Sequence, residues 1–112
     1  MTRSPRILIK VDFGDGLKLG PGKVRLLELV GETGSISAAA RQMEMSYRRA
    51  WLLMAELNHM FGRAVIETSA GGSGGGGAKI TEFGLRVMQT FREMENEADV
   101  LIKNHIGPLL KK

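Results

Sequence analysis

Ser46-Tyr47-Arg48-Arg49 carries the densest hydrogen-bonding chemistry in this 112-residue chain. A guanidinium is a fork of N–H donors that matches guanine O6 and N7 or a phosphate, and serine and tyrosine hydroxyls bond to either. This is chemistry of recognition, and catalysis has no comparable set. Cys is absent, which excludes thiolate nucleophiles, thiolate metal sites and disulfides. His59 and His105 are lone, neither belonging to a metal-ligand set, and the serines cluster at helix starts rather than in a Ser-His-Asp arrangement. The expectation is a protein that is not an enzyme and has no cofactor or metal site.

A second chemical candidate is the run Gly71-Gly72-Ser73-Gly74-Gly75-Gly76-Gly77, which holds six of the 15 glycines. A phosphate-binding P-loop needs Gly-x-x-x-x-Gly-Lys-Ser/Thr and a following helix. Gly72 and Gly77 have that spacing, but Ala78 stands where Lys belongs, and a strand pattern follows. A linker reading would leave a C-terminal piece of about 35 residues, below the ~40 at which domains usually fold alone. The run therefore reads as a loop inside one domain spanning residues 1–112. Side chains missing from its tip would let its backbone, at Gly72, Ser73, Gly74 and Gly75, approach a sugar-phosphate chain closely.

These residues need elements to hold them. Residues 6–13 alternate Ile7, Ile9, Val11 and Phe13 with mostly polar neighbours, the pattern of a half-buried strand closed by Gly14-Asp15-Gly16. From Pro21, Val24, Leu27 and Val30 with Leu26 and Leu29 form the wide apolar face of a helix, ended by Gly31 or Gly34. Ser35 or Ser37 caps a short helix over residues 38–43, whose Ala38-Ala39-Ala40 lets a neighbour approach. After Glu44-Met45, Ser46 caps a helix over residues 47–61. Ala50, Met54, Leu57 and Phe61 face its core, Trp51 sits at the core edge, and Gly62 stops it. Residues 64–68 and 78–81 are strands flanking the glycine run. Helix, tight turn and helix followed by a hairpin make a helix-turn-helix with a wing. The predicted fold is mainly α with a small antiparallel β-sheet: a winged helix over 1–81 with its wing at 69–78, then a long helix over 82–106.

That last helix is capped by Thr81 and stopped by Gly107-Pro108. Val87, Phe91, Met94, Ala98, Leu101 and His105 follow one another at intervals of 4, 3, 4, 3 and 4, a heptad seam that predicts homodimerisation. Two-fold symmetry would then present two recognition helices to half-sites one turn apart.

The motifs Gly34-Ser35-Ile36-Ser37-Ala38-Ala39-Ala40, Ser46-Tyr47-Arg48-Arg49-Ala50-Trp51, Gly71 to Ala78 and Thr81-Glu82-Phe83-Gly84 resemble the N-terminal DNA-binding domain of the ModE family, molybdate-responsive transcriptional regulators, over roughly residues 20–90. The Gly-Ser-Ile-Ser start also resembles the LysR-type helix-turn-helix. The resemblance implies a sequence-specific regulator binding double-stranded DNA through Ser35, Ser37, Arg41, Ser46, Tyr47, Arg48, Arg49, the glycine wing and Lys79, with Arg63 at the wing base. Members of the ModE family carry C-terminal molybdate-binding modules. This chain ends at Lys112 after the dimer helix, so direct molybdate binding is not expected. The alternative is a protein-interaction module that heterodimerises with a full-length regulator. A small molybdate-binding protein ranks last, because such modules are β-rich.

Charge agrees with an anionic partner for the first part. Residues 1–81 hold 11 Lys/Arg against 7 Asp/Glu, whereas residues 82–112 hold 5 of each. Glu93, Glu95, Glu97 and Asp99 belong on a surface away from DNA. No apolar run approaches ~18 residues and the N-terminus lacks a signal-peptide core, so a cytoplasmic location is expected.

Overall fold

In the computed structural model, residues 4–69 and 77–111 are described. The order is β1 (Val11–Gly14), β2 (Leu17–Leu19), α1 (Pro21–Thr33), α2 (Ile36–Gln42), α3 (Tyr47–Phe61), β3 (Ile66–Thr68), β4 (Ala78–Ile80) and α4 (Glu82–His105), with a 3₁₀ turn over Gly107–Leu110. Helices α1 to α3 and the β3–β4 hairpin make the winged helix that the sequence predicts. The glycine wing tip, including Gly72, Ser73, Gly74 and Gly75, lies outside the described residues.

The N-terminal strand departs from expectation. Among the described residues only Val11–Gly14 of this stretch pairs, antiparallel to β2, and Ile7 and Leu8 are exposed. The alternation from Ile7 has no partner strand to bury it. Asp15-Gly16 instead makes a two-residue turn with positive φ at both residues, a geometry that suits a tight hairpin. Phe13 sits at a register shift between Asp12 and Gly14, and its ring meets Phe61 edge-on at 5.2 Å.

Caps set the helix boundaries. Ser35, not Ser37, caps α2 by accepting a hydrogen bond from Ala38 N at 3.0 Å, and the helix begins two residues earlier than predicted, which buries Ile36. Gly34 ends α1 at φ 73°, and Gly31 lies inside that helix. Between α2 and α3, Glu44 N donates to Arg41 O and Met45 N to Ala40 O, a Schellman closure that puts Glu44 at φ 55°.

The core is one cluster. Val24, Leu26, Leu27 and Val30 of α1, Ala39 and Ala40 of α2, and Ala50, Met54 and Leu57 of α3 enclose Val65 and Phe91, all at most 1% exposed. Phe91 comes from α4, so the first half of α4 belongs to this core. Arg92 locks it there: Nε and Nη2 donate to Glu28 Oε2 and Oε1 of α1 at 3.0 and 2.8 Å, and Nη1 donates to Glu95 Oε1 at 2.6 Å. Beyond this point α4 leaves the main cluster, and Ala98 and Ile102 are buried outside it. The chain measures 63 × 31 × 24 Å, and Val100, Leu101, Leu109 and Leu110 are exposed.

The join between wing and α4 is the tightest in the fold. Thr81 N donates to Val65 O at 3.0 Å, and Thr81 Oγ1 reaches Ala64 O and Val65 O at 2.7 and 3.1 Å. The same hydroxyl accepts from Gly84 N at 2.9 Å, capping α4. A Cβ on Gly84 would lie 2.2 Å from Val65 O and 2.7 Å from Ile80 Cγ1. Only glycine permits this approach.

Two outcomes follow. Gly84→Ala lowers unfolding stability by about 3 kcal/mol in a denaturant titration, because α4 must move off β3. The second concerns acid. The hydrogen bond from Arg92 is the largest influence on Glu28 and holds its carboxyl below the ordinary 4.5, against the opposing effect of burial. A depressed carboxylate pKa contributes stability that is fully present above pH 4.5 and is lost as pH falls through the lower folded value. Glu28→Gln is expected to cost about 1 kcal/mol at neutral pH and to flatten the acid limb of thermal melts below pH 4.5.

Candidate nucleic-acid interface

Helix α3 packs into the core along one face. Ala50, Met54 and Leu57 face inward, and Ser46 Oγ accepts from Arg49 N at 3.1 Å to fix the first turn. At about 100° per residue, Arg48, Leu52, Ala55 and His59 form one line on the opposite side. Arg48, Leu52 and His59 are exposed and Ala55 is half-buried.

The two flanks differ. Asn58 lies on the flank shared with Tyr47 and Trp51, and its Oδ1 accepts from Val65 N and Ile66 N at 2.7 and 3.2 Å. That flank therefore faces the wing base. Glu56 lies on the other flank with Arg49, and its Oε1 meets Lys23 Nζ of α1 at 3.0 Å. The charge of Glu56 is thus countered at the side of α1 and kept off the outward line.

Each sequence-predicted residue has a place. Ser46, Tyr47, Arg48 and Arg49 are all exposed around the first turn of α3. Arg41 and Ser37 are exposed on α2. The side chain of Ser35 is engaged as the α2 cap. Lys79 is exposed on β4 and stands opposite Glu67 of β3, so a carboxylate is its cross-strand neighbour. The Arg63 guanidinium sits 4.2 Å from the centre of the Phe83 ring, and that ring meets Phe61 edge-on. The wing base is also tied to the start of the helix-turn-helix, since Ala78 N donates to Gly34 O at 2.9 Å. Among the described residues, no group of three His, Asp or Glu side chains is gathered that could hold a metal ion.

Two expectations are revised, and one exposed residue is new. Trp51 is 49% exposed and not a core-edge residue, because its angle on α3 points towards the wing base rather than into the bundle. Leu52, 48% exposed on the outward line, was not anticipated at all. Its signal was nonetheless present: an apolar residue four positions after Arg48, off the core-facing set. The α4 seam also changes. Val87 and Phe91 are buried in this chain's own core and Met94 is half-buried. Further along, the buried pair is Ala98 and Ile102, while Leu101 and His105 are exposed. The 3.6-residue turn carries the face from 98 to 102, where a strict heptad carries it to 101. Asn58, which joins α3 to the wing, was missed because a lone Asn in mid-helix has no pattern to mark it.

Asn58→Ala removes the acceptor of two backbone donors at the wing base. It is expected to cost about 1–3 kcal/mol. Amide exchange should quicken at Val65 and Ile66 more than in α1.

Comparison with known proteins agrees with this geometry. The family model for bacterial regulatory helix-turn-helix proteins of the LysR family matches residues 22–85. The chain is 38% identical over 80 residues to the molybdenum-pterin-binding protein MopB of Rhodobacter capsulatus, covering 71% of this chain and 30% of that protein. It is 34% identical over 107 residues to the DNA-binding transcriptional dual regulator ModE of Escherichia coli K12, covering 92% of this chain and 41% of that protein. The chain thus spans well under half the length of these relatives. The crystal structure of a LysR family transcriptional regulator superposes with a TM-score of 0.59 at 16% identity, over 91% of this chain and 31% of that one, a likeness of fold.

Proposed function

The chain belongs to the bacterial regulatory helix-turn-helix proteins of the LysR family, and from that membership we propose that it binds double-stranded DNA in a sequence-specific way and regulates transcription as a ModE-type regulator. One observation carries the reading. The outward line of α3 begins with Arg48, flanked by Tyr47 and Arg49, and the helix is fixed by its cap, by Asn58 and by the Lys23–Glu56 pair. A recognition helix reads base edges with its N-terminal residues, and a rigid one does so without paying to order itself on binding.

The angular positions divide the labour. Arg48 lies on the outward line and reads guanine O6 and N7. Arg49 lies on the α1 flank, and with Arg41, Ser37 and Lys79 it meets phosphates. Tyr47 hydrogen-bonds at the edge of the groove on the wing side. The glycine wing lies along the sugar-phosphate backbone. Its relatives are named for molybdenum binding and for ModE regulation, so molybdenum-linked genes are the targets in this reading and the cytoplasm is the place of action.

The protein acts as a homodimer in this reading. Val87 and Phe91 serve its own core, so the pairing surface is the distal part of α4, with Met94 and exposed Leu101 and Val100. An apolar recess of about 270 Å³, walled by Phe13, Phe61 and Phe83, lies along the first half of α4 and reaches Met94, where the pairing surface begins.

Selection of bound sequences from a random duplex library tests the reading. Enrichment of an inverted repeat with half-sites about one turn, ~34 Å, apart supports it. Salt-insensitive binding with no enriched sequence would sink it. On the enriched duplex, Arg48→Ala is expected to cost about 1–3 kcal/mol and to relax preference at one guanine. An equal loss on all duplexes would make Arg48 a phosphate contact instead.

A further inference from the structure

The recognition helix displays an apolar strip beside its hydrogen-bonding groups. Tyr47, Trp51 and Leu52 are 55%, 49% and 48% exposed within six residues of one another. Single exposed apolar residues are ordinary on a protein surface, but three large ones on one and a half turns beside Arg48 form a surface with a purpose.

The surroundings say which partner fits. Arg48 and Arg49 border the strip, and Arg41 is exposed on the preceding helix. The acids closest in sequence are Glu44, in the turn before α3, and Glu56, which is paired with Lys23 on the other flank, while Glu67 at the wing base stands opposite Lys79. An apolar strip edged by cations matches apolar groups set inside a polyanion. The major groove of duplex DNA offers one such group on its base edges, the C5-methyl of thymine.

We propose that Leu52 reads thymine methyl groups in each half-site. The inference rests on the reading of α3 as the recognition helix. Leu52 lies one turn beyond Arg48 on the same line, a rise of about 6 Å for four residues. At 3.4 Å per base pair the contacted thymine therefore lies within about two base pairs of the guanine that Arg48 reads. Ala55 continues the line, and its small side chain lets the helix sit deep enough for the methyl to reach Leu52.

The experiment compares the enriched duplex with the same duplex carrying deoxyuridine at those thymines. Deoxyuridine keeps the O4 acceptor and lacks only the methyl. Trp51 is the chain's single tryptophan, so its emission follows the titration directly. The expected result is a loss of about fourfold in affinity for each methyl removed. Leu52→Ala should lose a similar factor on the thymine duplex and then bind both duplexes equally. Leu52 is half exposed, so the variant should melt with the parent. Equal binding of the two duplexes by the unaltered protein would overturn the proposal while leaving DNA binding intact, and would hand the strip to a protein partner. Failure to bind either duplex would overturn both readings.

Discussion

The backbone of Val65 is the point on which the arrangement depends. Its N–H is held by Asn58 of α3, and its carbonyl accepts from Thr81 at the start of α4. Its side chain is fully buried in the core. Gly84 leaves the space that this carbonyl fills. Recognition helix, wing and long helix thus meet at one peptide, and none can turn without breaking a part-buried hydrogen bond. Such a bond is worth only about 1 kcal/mol when made, but leaving its donor unmatched costs about 1–3 kcal/mol. The junction therefore fixes direction more than it adds stability.

Direction is what a DNA reader needs. A base contact requires α3 to meet the groove at a set angle, and the proposed function adds phosphate contacts from the wing and from a second protomer. The two ends of α4 then do different jobs. Its first half is core, locked by Phe91 and by the Arg92–Glu28 fork, and its second half projects with Val100 and Leu101 exposed. A single rigid helix can carry the position of one recognition helix to its partner.

Much of this was legible in the residues, and the parts that were share a cause. Caps are local: Ser35, Ser46 and Thr81 each accept a bond from three residues on, and Gly34 and Gly62 each end a helix in the left-handed region. Those rules act within four residues, so the element order could be read directly. What failed was tertiary. Ile7 and Ile9 alternate like a strand, yet no partner lies alongside, and the Asp15-Gly16 turn confines pairing to Val11–Gly14 with Leu17–Leu19. Val87 and Phe91 look the same as Leu101 in a periodic pattern, and only the extent of the domain decides which of them it covers. Trp51 reads from the sequence as a core-edge residue, whereas its angle on α3, fixed by Ala50 and Met54, turns it towards the wing base and leaves it half exposed. For the glycine run, the residue types point to a backbone contact, and the tip lies outside the described residues.

The central claim is that the outward face of α3 reads base edges in the major groove. Methylation interference on the bound duplex tests it most directly, because guanine N7 lies in that groove and adenine N3 in the other. Methylation of one guanine N7 in each half-site should abolish binding, with the two positions related by two-fold symmetry. Interference confined to adenine N3, with every guanine N7 tolerant, would contradict the account and place the contact in the minor groove.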